Sequence, residues 1–298
     1  MNSIRVWGDW GTTRLRLWRV EQGVPMAKLE GPGIGQLAGT PGEALRTALA
    51  PWLAEGALGP VTLCGMAGSR SGLAEAPYAS CPADVGRWRN DMLQATWQGG
   101  PLRIAAGLAC RDSGDRPDVM RGEETQIFGA LRARADLAAG RQTLVLPGTH
   151  SKWVLVQDGR IERFRTFLTG EMFGLLRRST LLAGSGPERT DDSAFAQGLA
   201  RSGDEAGVLG ALFEARAAQM RDGRDGAWAA GFVSGLLIGA EIRGARAAGF
   251  ATEDVTLIGD PSLVDRYCTA LATFGVASTS LDGDMCVLSG LEQLDADN

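Results

Sequence analysis

The chain has 298 residues, 44% hydrophobic and 22% charged, which excludes a disordered chain and allows one large domain or two of about 150 residues each. A net charge of −5 argues against a general binder of nucleic acid or of an anionic membrane, so an anionic ligand needs a locally positive pocket. The five cysteines (Cys64, Cys81, Cys110, Cys268 and Cys286) form no CxxC pair, which indicates neither a disulfide framework nor a zinc site. Arg5, Asp9 and Arg14 stand where a signal peptide would be apolar. The longest uncharged stretch, 226–240, is 15 residues, short of the roughly 20 that span a bilayer, and reads as a buried helix. The cytoplasm is the expected compartment.

In chain order, Ile4–Gly8 and Arg14–Val20 read as strands of a hairpin, the second by its charged/apolar alternation, with GDWGTTR at the tip. Pro25–Leu29 is a candidate third strand. GPGIG at 31–35 is a loop without the spacing of a dinucleotide fingerprint. Glu43–Glu55 is an expected helix and Val61–Cys64 a buried strand; 70–83 reads as an irregular loop. Leu102–Ala106 is a strand and Gly122–Leu137 a helix. Gln142–Leu146, Lys152–Gln157 and Arg160–Leu168 are strands around PGTHS, a second hairpin about 135 residues after the first. The rest is mainly helical, at 171–182, 193–220 with breaks, 227–248, 262–274 and 284–292, with one strand at Val255–Ile258.

Five segments carry candidate chemistry. In GDWGTTRLRLW, a Gly/Thr turn offers backbone N–H groups and hydroxyls to phosphate oxygens, and Asp9 could hold Mg²⁺; an ordinary β-turn explains the same residues. In VLPGTHSKWVLV, Gly148 permits close backbone approach, and Thr149, His150 and Ser151 offer donors. Of 30 basic residues 28 are arginines, so Lys152, two residues from the only histidine, marks a site. In RGEETQIFGAL, Glu124 falls on the apolar stripe with Ile127, Phe128 and Leu131, whereas Glu123 is rotated by about 100°. Glu124 is either a dipole partner of its helix or a general base facing a cleft. In GMAGSRSGLAEAPY, Arg70 could grip a carboxylate or sit solvated on a surface loop. In TLIGDPSLVDRY, Asp260 suits a helix cap and the strand end a nucleotide base; Thr169 and Glu171 likewise read as cap or cleft residues. GxSxG and Walker A motifs are absent, and one histidine cannot build a histidine-rich metal site.

Together, GDWGTTRLRLW, GMAGSRSGLAEAPY, GEETQIFGAL, LPGTHSKWV, TGEMFGLL and GDPSLVDRY resemble the 2-dehydro-3-deoxygalactonokinase family, within the sugar kinase/actin/heat-shock ATPase superfamily, in order from residue 6 to about 290. The resemblance implies an α/β fold of two ribonuclease-H-like domains, mixed sheets flanked by helices, with a nucleotide cleft between them. The expected division is 1–136, with the first phosphate loop and the sugar-acid pocket, and 137–298, with the second loop and the adenosine segment. It implies transfer of the ATP γ-phosphoryl group to the 6-hydroxyl of 2-dehydro-3-deoxy-D-galactonate in galactonate catabolism. Asp9, Gly11, Thr12 and Thr13 would form the first phosphate loop, with Mg²⁺ at Asp9. Gly148, Thr149 and His150 would form the second, and Gly259 the adenosine segment. Glu124, the second glutamate of the pair, would activate the hydroxyl, as in exopolyphosphatase-like relatives. Lys152 would stabilise developing charge, and Ser69, Arg70, Glu75 and Tyr78 would bind the sugar acid, Arg70 at its carboxylate. One departure stands out: Leu146 and Pro147 lie where the superfamily's second loop usually begins with Asp.

The expected partners are ATP and a small sugar acid, without nucleic acid or membrane; self-association stays open. The alternatives are a kinase for the gluconate epimer, an exopolyphosphatase-like phosphohydrolase on the same fold, and a non-catalytic sugar-acid and nucleotide sensor. The sensor would be favoured by an attached DNA-binding helix-turn-helix, which is not expected here.

Overall fold

The structure, a computed structural model, describes residues 4–179, 191–205, 207–250 and 254–296. In chain order its strands are β1 (Ile4–Trp10), β2 (Arg14–Glu21), β3 (Val24–Pro32), β4 (Leu58–Gly65), β5 (Tyr78–Ser80), β6 (Leu93–Trp97), β7 (Gly100–Ile104), β8 (Gly107–Arg111), β9 (Pro117–Met120), β10 (Arg141–Leu146), β11 (Ser151–Gln157), β12 (Arg160–Phe167), β13 (Asp254–Gly259) and β14 (Ala277–Asp282). Its helices are α1 (Pro41–Glu55), α2 (Val85–Asn90), α3 (Glu123–Ala133), α4 (Thr169–Arg178), α5 (Asp192–Arg201), α6 (Gly207–Arg221), α7 (Gly226–Ala247), α8 (Pro261–Thr273) and α9 (Gly283–Asp295).

The chain divides into two compact units. The first comprises Met1–Arg141, Val156–Phe164 and Asp282–Asn298; the second comprises Gln142–Leu155 and Arg165–Leu281. The end of the first long segment lies near the boundary expected at 136, but the C-terminal segment does not stay with the second half. It returns to the first unit as α9.

In the first unit the sheet order is β3-β2-β1-β4-β7-β6, with β1, β2 and β3 antiparallel and β4 and β7 parallel to β1. A second sheet there runs β5-β8-β9. The other large sheet runs β12-β11-β10-β13-β14, with β13 parallel to β10. Both large sheets thus begin third-second-first-fourth, the repetition expected of two ribonuclease-H-like domains. The expected α/β class, mixed sheets flanked by helices, holds. Among the described residues no helix is long and apolar enough to cross a membrane.

Local chemistry explains most boundaries. Thr40 and Glu43 form a capping box and Pro41 occupies the first turn, so α1 starts two residues before the expected Glu43. Leu45, Leu49 and Trp52, at helical spacing, pack on Val6, Leu15, Leu17 and Leu63 of the sheet. The helix expected at 122–137 ends at Ala133, where Arg134 turns extended, and continues as a separate short turn at Ala135–Ala138. The one expected at 193–220 is broken into α5 and α6. The one expected at 171–182 appears as α4, and its positions 180–182 lie outside the described residues. Strands β5, β6, β8, β9 and β14 and helix α2 were not anticipated; β5 lies in the 70–83 segment expected as an irregular loop, where it pairs with β8. The tight connection from β6 to β7 uses Gln98 and Gly99, both at positive φ. The edge strand β14 is polar, ASTSLD, and carries no apolar alternation.

Glycine sets two helix crossings. A Cβ on Gly129 of α3 would meet the Cys286 carbonyl oxygen at 1.8 Å, and one on Gly290 of α9 would meet that of Thr125 at 2.1 Å. In the second unit Gly198 of α5 and Gly235 of α7 make the reciprocal contact, each with a partner carbonyl at 2.0 Å. The uncharged 226–240 stretch is accordingly a buried helix, with Gly231 and Gly235 serving close backbone approach.

The far end of α9 is anchored by Asp295, which is 1% exposed. Its carboxylate accepts from Trp7 Nε1 at 2.8 Å, Arg5 Nη1 at 2.9 Å, Thr62 Oγ1 at 3.0 Å and Arg103 Nη1 at 3.3 Å. Removing the carboxylate strands two cations and two neutral donors, so Asp295→Ala should lower stability by about 3 kcal/mol. Urea unfolding followed by tryptophan fluorescence measures this; a midpoint equal to wild type would show that the cluster is energetically idle.

Candidate active site

The first phosphate-loop candidate lies at the open end of β1 and β2. Register puts Asp9 directly opposite Arg16 on β2 and beside Cys64 on β4. Opposite charges facing each other across strands attract. Asp9 Oδ2 accepts a hydrogen bond from Arg16, whose other Nη binds Asp284 at the start of α9. Asp9 Oδ1 receives the Cys64 thiol at 3.6 Å. Arg16 itself is buried.

Beyond Asp9, Gly11, Thr12 and Thr13 form the tip, with both threonines exposed. The Gly11 N–H closes the turn on the Arg14 carbonyl at 2.8 Å. Ile34 and Gly35 donate their N–H groups to the carbonyls of Gly11 and Thr12 at 3.0 and 2.9 Å. A Cβ on Gly33 would stand 2.4 Å from the Thr12 carbonyl, so the GPGIG segment is the backing of this loop.

Gly65 connects this strand end to α3. A Cβ there would lie 3.2 Å from Asp9 Oδ1, and one on Gly122 would lie 3.2 Å from the Gly65 Cα. Gly122, at φ 113°, heads α3, and both oxygens of Glu124 accept its N–H, at 2.9 and 2.8 Å. Glu124 is wholly buried, as its place on the apolar stripe predicted, whereas Glu123 is half-buried and accepts the Arg121 N–H at 3.1 Å. Burial, and then the Glu123 charge, push the Glu124 carboxyl up to about 8. Burial and the Asp9 and Glu124 charges likewise push the Cys64 thiol well up.

The 69–78 segment coils tightly, with the Gly72 N–H on the Ser69 carbonyl at 2.9 Å and Ser69 Oγ 3.3 Å from Ser71 Oγ. The Arg70 side chain is 91% exposed and pairs with Glu75 at 3.1 Å. Tyr78 is met by another arginine: Arg121 stacks 4.2 Å from its ring centroid, with Nε 3.4 Å from its hydroxyl. Arg121 Nη2 donates to the Ala76 carbonyl at 2.8 Å, while Nη1 is buried without a hydrogen-bond partner. A Cβ at Gly68 would fall 2.7 Å from that nitrogen.

In the second unit, Gly148, Thr149 and His150 join β10 to β11. The start of α4 packs on this loop: the Glu171 N–H donates to the Thr149 carbonyl at 2.9 Å, and a Cβ on Gly170 would lie 2.3 Å from the Gly148 carbonyl oxygen. His150 Nε2 meets Glu171 Oε2 at 2.5 Å. Lys152 is 3% exposed and donates to the His150 carbonyl at 3.1 Å, so its ammonium is turned to the loop's own backbone. The other lysine, Lys28, lies on the edge strand β3 and pairs with Glu30 at 2.8 Å. Gly259, closing β13, faces the loop across 3.6 Å from its Cβ position to the Pro147 carbonyl oxygen. Asp260 is the cap of α8. A cavity of about 220 Å³ adjoins the loop, lined by Gly148, Thr149, Thr169, Leu237, Leu263 and Tyr267.

Sequence reasoning did not select Arg16, although a hairpin centred between Thr12 and Thr13 pairs residues 9 and 16 by counting. Asp284 carries no local signal; only the return of α9 brings it to Arg16.

The raised Glu124 carboxyl has a consequence for stability. Between its ordinary value of 4.5 and about 8 the unfolded chain has lost this proton and the folded chain holds it. The folded state then binds the extra proton, so stability falls as pH rises through that window. Glu124→Gln removes the titration while keeping an acceptor for Gly122. Its stability gain over wild type should therefore widen steadily from about pH 5 to about pH 8; parallel curves in urea titrations at several pH values would refute the raised value.

The description "2-keto-3-deoxy-galactonokinase" matches residues 9–294. A Rhizobium meliloti (strain 1021) protein named "Probable 2-dehydro-3-deoxygalactonokinase" is 37% identical over 290 residues, 95% of this chain and 94% of that one. The Escherichia coli (strain K12) 2-dehydro-3-deoxygalactonokinase is 35% identical over 292 residues, covering 96% and 95%. A Sinorhizobium meliloti crystal structure, assigned provisionally to the same activity, superposes with a TM-score of 0.86 at 35% identity over 97% of each chain. The activator of the 2-hydroxyisocaproyl-CoA dehydratase from Clostridium difficile, at a TM-score of 0.50 and 12% identity over 98% of this chain and 94% of its own, shares the fold alone. Because one family description spans these motifs from Asp9 onward and the relatives match nearly end to end, the chain belongs to the 2-keto-3-deoxy-galactonokinase family.

Proposed function

We propose that this protein is a 2-dehydro-3-deoxygalactonokinase, which moves the γ-phosphoryl group of ATP to the 6-hydroxyl of 2-dehydro-3-deoxy-D-galactonate. Family membership supports the reaction class. The observation that carries the mechanism is the Gly65 contact, which brings the Asp9 strand end against the head of the Glu124 helix.

The donor set at Asp9 suits Mg²⁺ in a limited way. One carboxylate, with Arg16 on one oxygen, fits an ion that keeps its waters and rests mainly on nucleotide phosphates, and among the described residues no cluster of three or more metal-type side chains occurs. Asp9 would hold the ion, which when bound supplies positive charge to the phosphates. The exposed tip of Gly11, Thr12 and Thr13 would offer N–H and hydroxyl donors to phosphate oxygens. Gly148, Thr149 and His150 would do so from the second unit, beside the start of α4, with Gly259 and the adjoining cavity toward the adenosine. Lys152 braces that loop and lends it positive charge.

Phosphoryl transfer asks mostly for positioning and charge. Glu124 would take the proton of the 6-hydroxyl as that oxygen bonds to the γ-phosphorus and the bond to the β-phosphate oxygen breaks. A carboxyl near 8 is a base matched to neutral conditions, stronger than an ordinary glutamate. Glu123, nearer to solvent, is the competitor for this role.

Ser69, Arg70, Glu75 and Tyr78 would rim the sugar-acid pocket. Of its two arginines, Arg121 fits the carboxylate anchor better. A buried guanidinium N–H without an acceptor is costly, and a carboxylate gripped by a planar fork supplies one. Arg70 is already paired with Glu75 and lies largely in solvent.

The reaction is tested by ADP release over a panel of keto-deoxy sugar acids, with the galactonate and gluconate epimers side by side and the product identified by mass. Phosphorylated galactonate derivative is the expected product; free phosphate as the main product would overturn the proposal. Glu124→Gln should cut kcat by about 10²–10⁴-fold. In wild type kcat/KM should rise with pH through about 8. Collapse in Glu123→Gln with near-normal turnover in Glu124→Gln would move the base to Glu123.

The anchor is tested by comparing Arg121→Lys with Arg70→Lys. An ammonium cannot reproduce the fork, so Arg121→Lys should raise the KM for the sugar acid by about tenfold, with the KM for ATP little changed. A large effect confined to Arg70→Lys would reverse the assignment.

A further inference from the structure

Behind the Gly148–His150 loop lies a carboxylate with no part in the chemistry above. Glu241, on α7, is 2% exposed, and burial raises its carboxyl above the usual range. Its Oε1 accepts from Trp153 Nε1 at 2.8 Å and its Oε2 from the Tyr267 hydroxyl at 2.7 Å. Tyr267 Oη also lies 2.8 Å from Ser151 Oγ. An indole N–H only donates, and an ionised carboxylate only accepts. Tyr267 has one proton, and it is spent on Glu241. Ser151 and Thr169 also bond to Glu241 directly, so the hydroxyl protons around the loop run toward the carboxylate, both through Tyr267 and straight to it.

The four side chains come from three elements: Ser151 and Trp153 from β11, Tyr267 from α8 and Glu241 from α7. Ser151 directly follows His150, and Tyr267 lines the same 220 Å³ cavity as Gly148 and Thr149. Burying a charge is unfavourable, and an apolar residue could fill the space without that cost. What only the carboxylate provides is two acceptors that fix the direction of every bond back to the loop.

We propose that Glu241 is a positioning residue for the nucleotide: through Tyr267 it orients Ser151 and so sets the Gly148–His150 loop for the phosphates of ATP. The proposal rests on the kinase reading above. It separates nucleotide affinity from sugar-acid affinity, which a purely structural role would not do.

Glu241→Gln is the incisive variant because it keeps shape and hydrogen-bonding capacity. Its amide oxygen can still accept from Trp153, but its NH₂ then faces Tyr267. The tyrosine proton must turn to Ser151, reversing the path through Tyr267. The KM for ATP, and the Kd for a non-hydrolysable ATP analogue by calorimetry, should both rise about tenfold. The KM for the sugar acid and kcat should stay within about twofold. Tyr267→Phe, which deletes both inner bonds, should act in the same direction. Equal changes in both KM values, or a fall in kcat with analogue binding unchanged, would overturn the proposal. If Glu241→Gln does not fold by circular dichroism, Tyr267→Phe decides: wild-type analogue affinity in that variant overturns it. A wild-type protein that neither binds the analogue nor phosphorylates a sugar acid would sink the kinase reading itself; normal wild-type behaviour with unaffected variants sinks only the role of Glu241.

Discussion

Four donors converge on the carboxylate of Asp295, and the geometry of the first unit depends on that convergence. They come from β1, β4 and β7, so one side chain fastens the last helix to three neighbouring strands. Once fastened, α9 reaches both acidic positions. Its Asp284 holds Arg16, which holds Asp9. Its Gly290 sits against the Thr125 carbonyl, one residue beyond Glu124. Neither carboxylate is placed by its own strand or helix alone.

The second unit solves a similar problem with a different carboxylate. Glu241 gathers an indole and a phenol, as Asp295 gathers an indole, a hydroxyl and two guanidinium groups. In each case the buried charge is surrounded by groups that only donate or have donated already. Such an arrangement tolerates little substitution, because every neighbour is committed in direction. Glycine provides the complementary freedom. Gly129, Gly198, Gly235 and Gly290 let helices approach until backbone touches backbone, so side-chain packing does not set those distances.

Much of this was legible in the sequence. The two hairpins, the stripe that buries Glu124 and the rare Lys152 beside His150 all follow from periodicity and composition. The family is legible only by resemblance, through motifs that keep their order along the chain. What was not legible has a common cause. Arg16 reads as the solvent face of an alternating strand, but a carboxylate opposite it and another from α9 draw it inward. Arg70 looks like the natural carboxylate grip, yet Arg121 is the one folded against Tyr78. Asp284, Asp295 and Glu241 find partners dozens to hundreds of residues away, and no local pattern encodes such pairings. The polar edge strand β14 escaped because its face is not needed for burial, which is the only signal periodicity carries.

The discontinuity of the first unit bears on how the protein is made. Domains usually fold in the order of synthesis, the N-terminal one first. Here the strands that open the chain await residues 283–295, whereas the second unit is complete by Leu281. On a translating ribosome the second unit therefore has all its parts while the first still lacks the helix that steadies Asp9 and Glu124. A nascent chain therefore holds every residue of the second unit before the helix that places Asp9 and Glu124 has been made, so an interrupted polypeptide lacks the contacts that fix those two carboxylates.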